Sequence, residues 1–290
     1  VTGAIEVVRI ANGPIEVEIL PGVGARLHRL RVDGHDVLRT PPDIARHLDD
    51  PWFWGSYPMV PWCNRIAAGR TAVLGRVLDL PANFPDGTAI HGQVSQASWA
   101  QVGDGSFRIR AGGDGWPWPY EVEEDIAVRG RELEIELRLT NLADEPMPAG
   151  LGIHPWFRRP VRVAIRADAA YRSYAAPEAD PEPVAGRLDR RTLEELPDGL
   201  DACWTALAEP PIVLDWPSDG VRATIATTPA VAYVVAASPA EIDAVAVEPQ
   251  THAPAGIRRL VNGEPGALTV LDPRATLALT VRIAFDAAKT

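Results

Sequence analysis

Lysine and cysteine are nearly missing from this chain. Its 290 residues include one lysine, Lys289, and two cysteines, Cys63 and Cys203. A lysine beside the last residue is badly placed for the desolvated pocket that a Schiff base needs, which argues against aldol or pyridoxal chemistry. The cysteines fall in no C-x-x-C or related spacing, so a zinc site and a disulfide framework lack support and reduced, buried thiols are expected. No run approaches the ~20 apolar residues of a membrane-spanning helix, and the first residues form no basic-then-apolar leader. A cytoplasmic protein without a membrane partner is the expectation. Positive charge is also short. With 28 Lys and Arg against 39 Asp and Glu, the formal net charge is -11, which disfavours nucleic acid as a partner and suits a neutral small molecule.

Helical periodicity is scarce. Residues 42–50 can make two turns and residues 190–196 one or two, neither long enough for a helical domain. Alternation with period two takes its place. Ile15-Glu16-Val17-Glu18-Ile19, Leu133-Glu134-Ile135-Glu136-Leu137-Arg138-Leu139 and Leu277-Ala278-Leu279-Thr280-Val281-Arg282-Ile283-Ala284-Phe285 set apolar side chains on one face and polar ones on the other, the mark of antiparallel strands with one wet face. Residues 5–10, 26–32, 99–102, 107–110, 122–128, 161–165, 221–227 and 231–236 are further strand candidates. Turn residues punctuate them at short intervals. The expected fold is all-β, a large antiparallel β-sandwich with few short helices, forming a single domain over residues 1–290. Residues 176–199, rich in Pro, Glu, Asp and Arg, break the rhythm and read as a long surface excursion.

Against that background three short stretches stand out. They are Ala89-Ile90-His91-Gly92, Gly150-Leu151-Gly152-Ile153-His154-Pro155-Trp156-Phe157 and Val245-Ala246-Val247-Glu248-Pro249-Gln250-Thr251. Each delivers a titratable side chain from an apolar run to a point where Gly or Pro interrupts regular structure, which is how a β-scaffold presents groups to a cleft. Each also has a plainer reading. His91 alone suits a turn, Trp156 and Phe157 suit a core, and Glu248 suits a solvated strand end. Together, however, histidine and carboxylate move protons in both directions near neutral pH without a cofactor.

Arg65 lies among Trp52, Phe53, Trp54, Tyr57 and Trp62. Guanidinium donors and aromatic faces are what a sugar needs, the first for hydroxyls and the second for the C–H face of the ring. Asp201 either accepts from a substrate hydroxyl or caps a turn.

In order along the chain, Asn64-Arg65-Ile66 with Gly69-Arg70, His91-Gly92, Gly152-Ile153-His154-Pro155-Trp156-Phe157, Leu200-Asp201 and Glu248-Pro249-Gln250-Thr251 resemble the aldose 1-epimerase, or galactose mutarotase-like, family. The resemblance runs from Pro21-Gly22-Val23-Gly24-Ala25-Arg26-Leu27 to the final strand. It implies a β-supersandwich with a sugar cleft across one sheet, no metal and no cofactor. It also implies Glu248 as base on the anomeric hydroxyl, His154 as acid toward the ring oxygen and His91 assisting there. Arg65 and Asp201 would hold hydroxyls, with Asn64 and Trp156 as further substrate contacts. The residue types agree with that chemistry, since glutamate is the natural base and histidine a suitable acid near neutrality.

One departure narrows the substrate. The phosphate-recognising hexose-6-phosphate epimerases carry an arginine shortly after the His-Gly pair, where this chain has His91-Gly92-Gln93-Val94-Ser95. A sugar phosphate would require arginines converging on the cleft, with Arg65, Arg70, Arg158 and Arg159 as candidates. A noncatalytic carbohydrate-binding module would need the aromatics but not the His/Glu set. His252 is expected to face solvent.

Overall fold

Because alternating side chains make two-faced strands, the chain builds one large sheet and then curls it to bury a face. The computed structural model describes residues 5–67, 69–171 and 180–287. Antiparallel strands assemble into an 18-stranded sheet. One stretch of it runs through Ser106–Gly113, Trp116–Arg129, Glu132–Asn141, Thr276–Phe285 and Val221–Thr227. A second runs through Val8–Asn12, Ile15–Leu20, Arg26–Val32, Ser56–Met59, Gly152–Arg158, Ala244–Gln250 and Tyr233–Ser238.

The long strand Leu200–Trp216 joins the two. Its residues 200–204 pair with Tyr233–Ser238, whereas residues 212–216 pair with Val221–Thr227. Arg162–Tyr171 follows it along the other side, with a register irregularity between Ile165 and Ala167. Between its halves, Ala206 takes a left-handed φ of 53°. The strand therefore leaves one layer and enters the other, and the main core packs between them, with Val17, Ile153, Val245 and Val247 from one stretch meeting Val122, Leu137, Ile225 and Leu279 from the other.

In its middle, at Ser56–Met59, Gly152–Arg158 and Ala244–Gln250, the second stretch is buried on both faces. Ile153 and Phe157 join the main core, while Trp156 joins a separate cluster with Trp52, Tyr57, Met59, Cys63, Ile90, Ala244 and Ala246. That second cluster floors the cavity lined by His154 and Glu248. Both cysteines are buried free thiols.

Several expectations change. Residues 42–50 yield only the four-residue helix Arg46–Asp49. Residues 190–196 make no helix; Glu194–Glu195 instead forms a short strand against Arg162 and Val163, with Pro197 behind it unable to extend a helix. The helix Gly256–Asn262, which starts after Ala255 without a side-chain cap and stops at the left-handed Gly263, was not expected. Residues 180–199 of the predicted excursion are mostly exposed and include the short strand Glu182–Pro183; residues 176–179 and Lys289 lie outside the described residues.

One core position breaks the polarity rule. In Trp116–Arg129 the inward residues are Trp116, Trp118, Tyr120, Val122, Glu124, Ile126 and Val128. Glu124 is 1% exposed and its Oε2 has no hydrogen-bond partner. Burial, reinforced by the charge of Asp125, holds its carboxyl well above the usual carboxylate range. The folded state thus keeps a proton that the unfolded chain gives up above the ordinary glutamate pKa, so stability falls as pH rises through that window. The slope is about 1.4 kcal/mol per pH unit while the folded carboxyl stays protonated. Glu124→Gln should remove it. Denaturant midpoints measured between pH 5 and 8 should favour the variant increasingly with pH, whereas a constant difference would mean that Glu124 ionises in the fold.

Candidate functional site

The site is laid out by strand register. Gly152 faces Gln250 and Trp156 faces Ala246, which sets His154 opposite Glu248. On the other edge of the Gly152–Arg158 strand, His154 faces Tyr57; beyond Glu248, Val235 comes next and Cys203 after it. Tyr57, His154 and Glu248 thus form one row across three strands, and side chains so aligned meet directly. His154 Nε2 lies 3.2 Å from Glu248 Oε1, and the Tyr57 and His154 rings stack with centroids 4.7 Å apart. Asp201 belongs to the adjacent row, opposite Ala237, which itself faces Ala246.

Glu248 is fixed from its second oxygen. Gln250, two residues on and therefore on the same face, donates from Nε2 to Glu248 Oε2 at 2.9 Å. Asn64 holds Gln250 in a reciprocal amide pair, donating to Gln250 Oε1 at 2.6 Å and accepting from Nε2 at 3.2 Å. Asn64 is buried and is not among the residues that line the cavity.

His91 enters from a separate two-stranded unit in which Arg65–Ile66 pairs with Ala89–Ile90. Asn83 holds Ile90 at both its backbone N–H and its carbonyl. His91 and Asn64 both have left-handed φ, 57° and 63°. Their backbones bond His91 N–H to Asn64 O, and the Asn64 N–H donates to His91 Nδ1 at 3.2 Å. An Nδ1 that accepts leaves the proton of the neutral ring on Nε2. Gly92 is required: a Cβ there would come within 1.9 Å of Val60 O.

These groups line a cavity of about 260 Å³ with Trp52, Phe53, Tyr57, Phe84, Trp156, Arg65 and Asp201. His91 meets His154 edge to face, centroids 4.9 Å apart. Trp156 donates from Nε1 to Trp52 O at 2.6 Å, which leaves its ring face as wall. Arg65 donates to Asp86 at 2.7 Å and lies over the Phe84 ring.

Burial sets the electrostatics. It raises the Glu248 carboxyl well above the usual range, with Asp201's charge adding and the Gln250 hydrogen bond and Arg65 opposing. It lowers His154, helped by the charges of Arg26 and Arg65, and lowers His91, helped by His154 and Arg65. Asp201 stands exposed at the rim, yet the crowding cleft walls lift its carboxyl to about 6, with Arg65 opposing. Glu248 and His154 accordingly favour a state with one proton between them, since a second proton or none leaves a buried net charge.

The structure brings Glu248, His154, His91, Arg65, Asp201 and Trp156 to one cavity. His252 does not face solvent: it is 1% exposed, accepts from the Cys63 N–H at 2.9 Å and contacts its neighbour's carbonyl through Nδ1. Gly150 and Gly256 make room for it, because a Cβ on either would come within 2.6 Å of its ring. Gln250 was the residue to find from sequence, as the period-two partner of Glu248. Among the described residues no group of three or more His, Cys, Asp and Glu side chains is placed to hold a metal ion.

Residues 6–267 match the family model described as aldose 1-epimerase. Among solved structures, a galactose mutarotase-like protein from Clostridium acetobutylicum has a TM-score of 0.83 at 18% identity, over 96% of this chain and 94% of that one. The GalM/aldose epimerase homologue from C. elegans has a TM-score of 0.82 at 19% identity, over 99% and 100%. Galactose 1-epimerase from Lactobacillus acidophilus NCFM has a TM-score of 0.75 at 18% identity, over 96% and 93%. Comparison with curated protein sequences gives no match. The structural likenesses establish a galactose mutarotase-like fold, and the family model, spanning most of the chain, makes it a member of the aldose 1-epimerase family.

Proposed function

We propose that this protein is a mutarotase, interconverting the α and β anomers of a free aldose by acid/base chemistry through the open-chain sugar. The contact between His154 and Glu248 at 3.2 Å inside an aromatic-walled cavity carries the reading. Ring opening removes the proton from O1 and gives one to the ring oxygen. With the shared proton on His154, the Glu248 carboxylate takes the O1 proton while the imidazolium protonates the ring oxygen. The pair ends as carboxylic acid and neutral imidazole. Rotation of the aldehyde and reclosure run the same transfers backwards.

The two forms of the pair are therefore the states before and after ring opening. Burial favours the uncharged form, which lowers the cost of the opened state relative to water. His91, with its proton on Nε2, supports the ring oxygen as a hydrogen-bond donor. Arg65 and Asp201 hold hydroxyls at the rim, and Trp156 offers a ring face. Asn64 acts one step back, positioning Gln250 and through it Glu248.

An unphosphorylated sugar is favoured by the arginines. Arg65 is the one arginine among the described residues lining the cavity. Arg158 and Arg159 instead pair with Asp219 and Asp198, and Arg70 lies exposed near Asp79.

Anomer exchange measured by NMR on a panel of free aldoses tests the reading. Wild-type protein should accelerate exchange, and Glu248→Gln should lose at least about 10²-fold in rate, the usual worth of one positioned proton transfer, with sugar binding nearly intact. Parent-level activity in that variant would remove Glu248 as base. His154→Asn should cost more than His91→Asn in the same assay, and the reverse order would exchange their roles.

A further inference from the structure

Behind the cavity lies a buried cation that the proposed reaction does not use. Arg26 is fully buried, and its Nε donates to Val23 O, its NH2 to Ser95 O at 2.7 Å and its NH1 to Pro51 O at 2.8 Å. Pro51 opens the stretch that carries Trp52 and Phe53, and Ser95 closes the turn that begins at His91-Gly92. One guanidinium thus ties together the two segments that wall the cavity. Its Cζ lies over the Tyr57 ring, 5.1 Å from the centroid, and Tyr57 in turn stacks on His154.

Arg26 is itself oriented by a chain of side chains. NH1 is 3.2 Å from His47 Nδ1, His47 Nε2 is 2.9 Å from His28 Nδ1, and His28 Nε2 is 3.8 Å from Glu18. Arginine only donates, so His47 Nδ1 accepts and its proton sits on Nε2. His28 Nδ1 then accepts in turn, and its own proton sits on Nε2, toward Glu18. The polarity of every link follows from the first. Both histidines are buried, and burial together with the Arg26 charge lowers His47 to about 3, which keeps the chain neutral and its direction fixed.

We propose that Arg26 is a positioning residue for the reaction: aligned by His47 and His28, it holds both cavity-wall segments and places a permanent positive charge against the Tyr57 ring that stacks on His154. The titratable and charged groups around His154 are Glu248 on the adjacent strand, His91 across the cavity, Tyr57 against its face and Arg65 above. Asp201 acts on Glu248, Glu248 acts in turn on Cys63, and Asp50 acts on Arg26. Arg26 opposes protonation of His154, so that imidazolium is a stronger acid toward the ring oxygen. As regards the reaction, the inference rests on the mutarotase reading.

The test combines ¹⁵N-imidazole NMR with anomer exchange on the full chain. In Arg26→Met, His154 should take up its proton at a pH higher by about half a unit or more. Both limbs of the pH profile of kcat should move upward with it, because each proton of the His154–Glu248 pair becomes easier to hold. A folded variant whose kcat falls evenly at all pH values, with the His154 transition unmoved, would reduce Arg26 to a structural brace and overturn the proposal. Should that variant not fold, wild-type protein still decides the alignment: His28 and His47 should both be neutral with the proton on Nε2 at pH 7. An imidazolium at either, or a proton on Nδ1 of His47, would break the chain. Absence of anomer exchange in the wild type would end the mutarotase reading alone, leaving the His154 shift to judge Arg26.

Discussion

The hydrogen-bonded register between Gly152–Arg158 and Ala244–Gln250 is the constraint on which the site depends. Two residues widely separated in sequence become direct neighbours only at this alignment. A slip of one position would turn His154 into the main core and bring Ile153 or Pro155 to the cavity. Such a slip is resisted on both sides, since Ile153 and Phe157 on one face and Trp156 on the other are all buried. Packing that serves stability therefore also sets the distance between His154 and Glu248.

From that alignment the other features follow in order of distance. Gln250 and Asn64 orient the carboxylate, the left-handed turns at Asn64 and His91 place the second histidine, and Arg26 braces the walls from behind. Each layer consists of hydrogen bonds made in a water-poor interior, where an unmade bond costs about 1–3 kcal/mol. The site is consequently stiff. Glu248, Gln250 and Asn64, which would be a liability in an ordinary core, satisfy one another here, whereas His154 Nδ1 and, elsewhere, Glu124 Oε2 have no hydrogen-bond partner.

The one-sided strands were the most legible part of the sequence. Ile15–Leu20 and Glu132–Asn141 alternate cleanly because one face is wet. Leu200–Trp216 was missed because Pro210 and Pro211 interrupt its pattern, and proline is tolerated there only because the strand is changing partners between layers. The site residues could be picked out one at a time, as titratable groups beside Gly or Pro. Their pairing could not, because strand partnership across the chain is a tertiary fact that local pattern does not encode. His252 was misread for the same reason: its environment is supplied by Gly150, Gly256 and Cys63, and only the folded chain brings them together.

The strand that brings Asp201 to the cavity rim is the same strand that stitches one layer of the sheet to the other. Arg65, on the opposite rim, belongs to a small two-stranded unit outside the main sheet. The two sides of the opening therefore differ in how freely they can be remodelled. Reshaping the turn at residues 84–88, which holds Arg65 through Asp86, leaves the Asn64 and His91 bonds of that unit in place, whereas altering the backbone at Asp201 propagates into the closure of the whole sandwich. A scaffold built this way is evolvable at the outer turn of one bank and fixed on the other, so the shape of the opening changes most easily around Phe84 and Asp86.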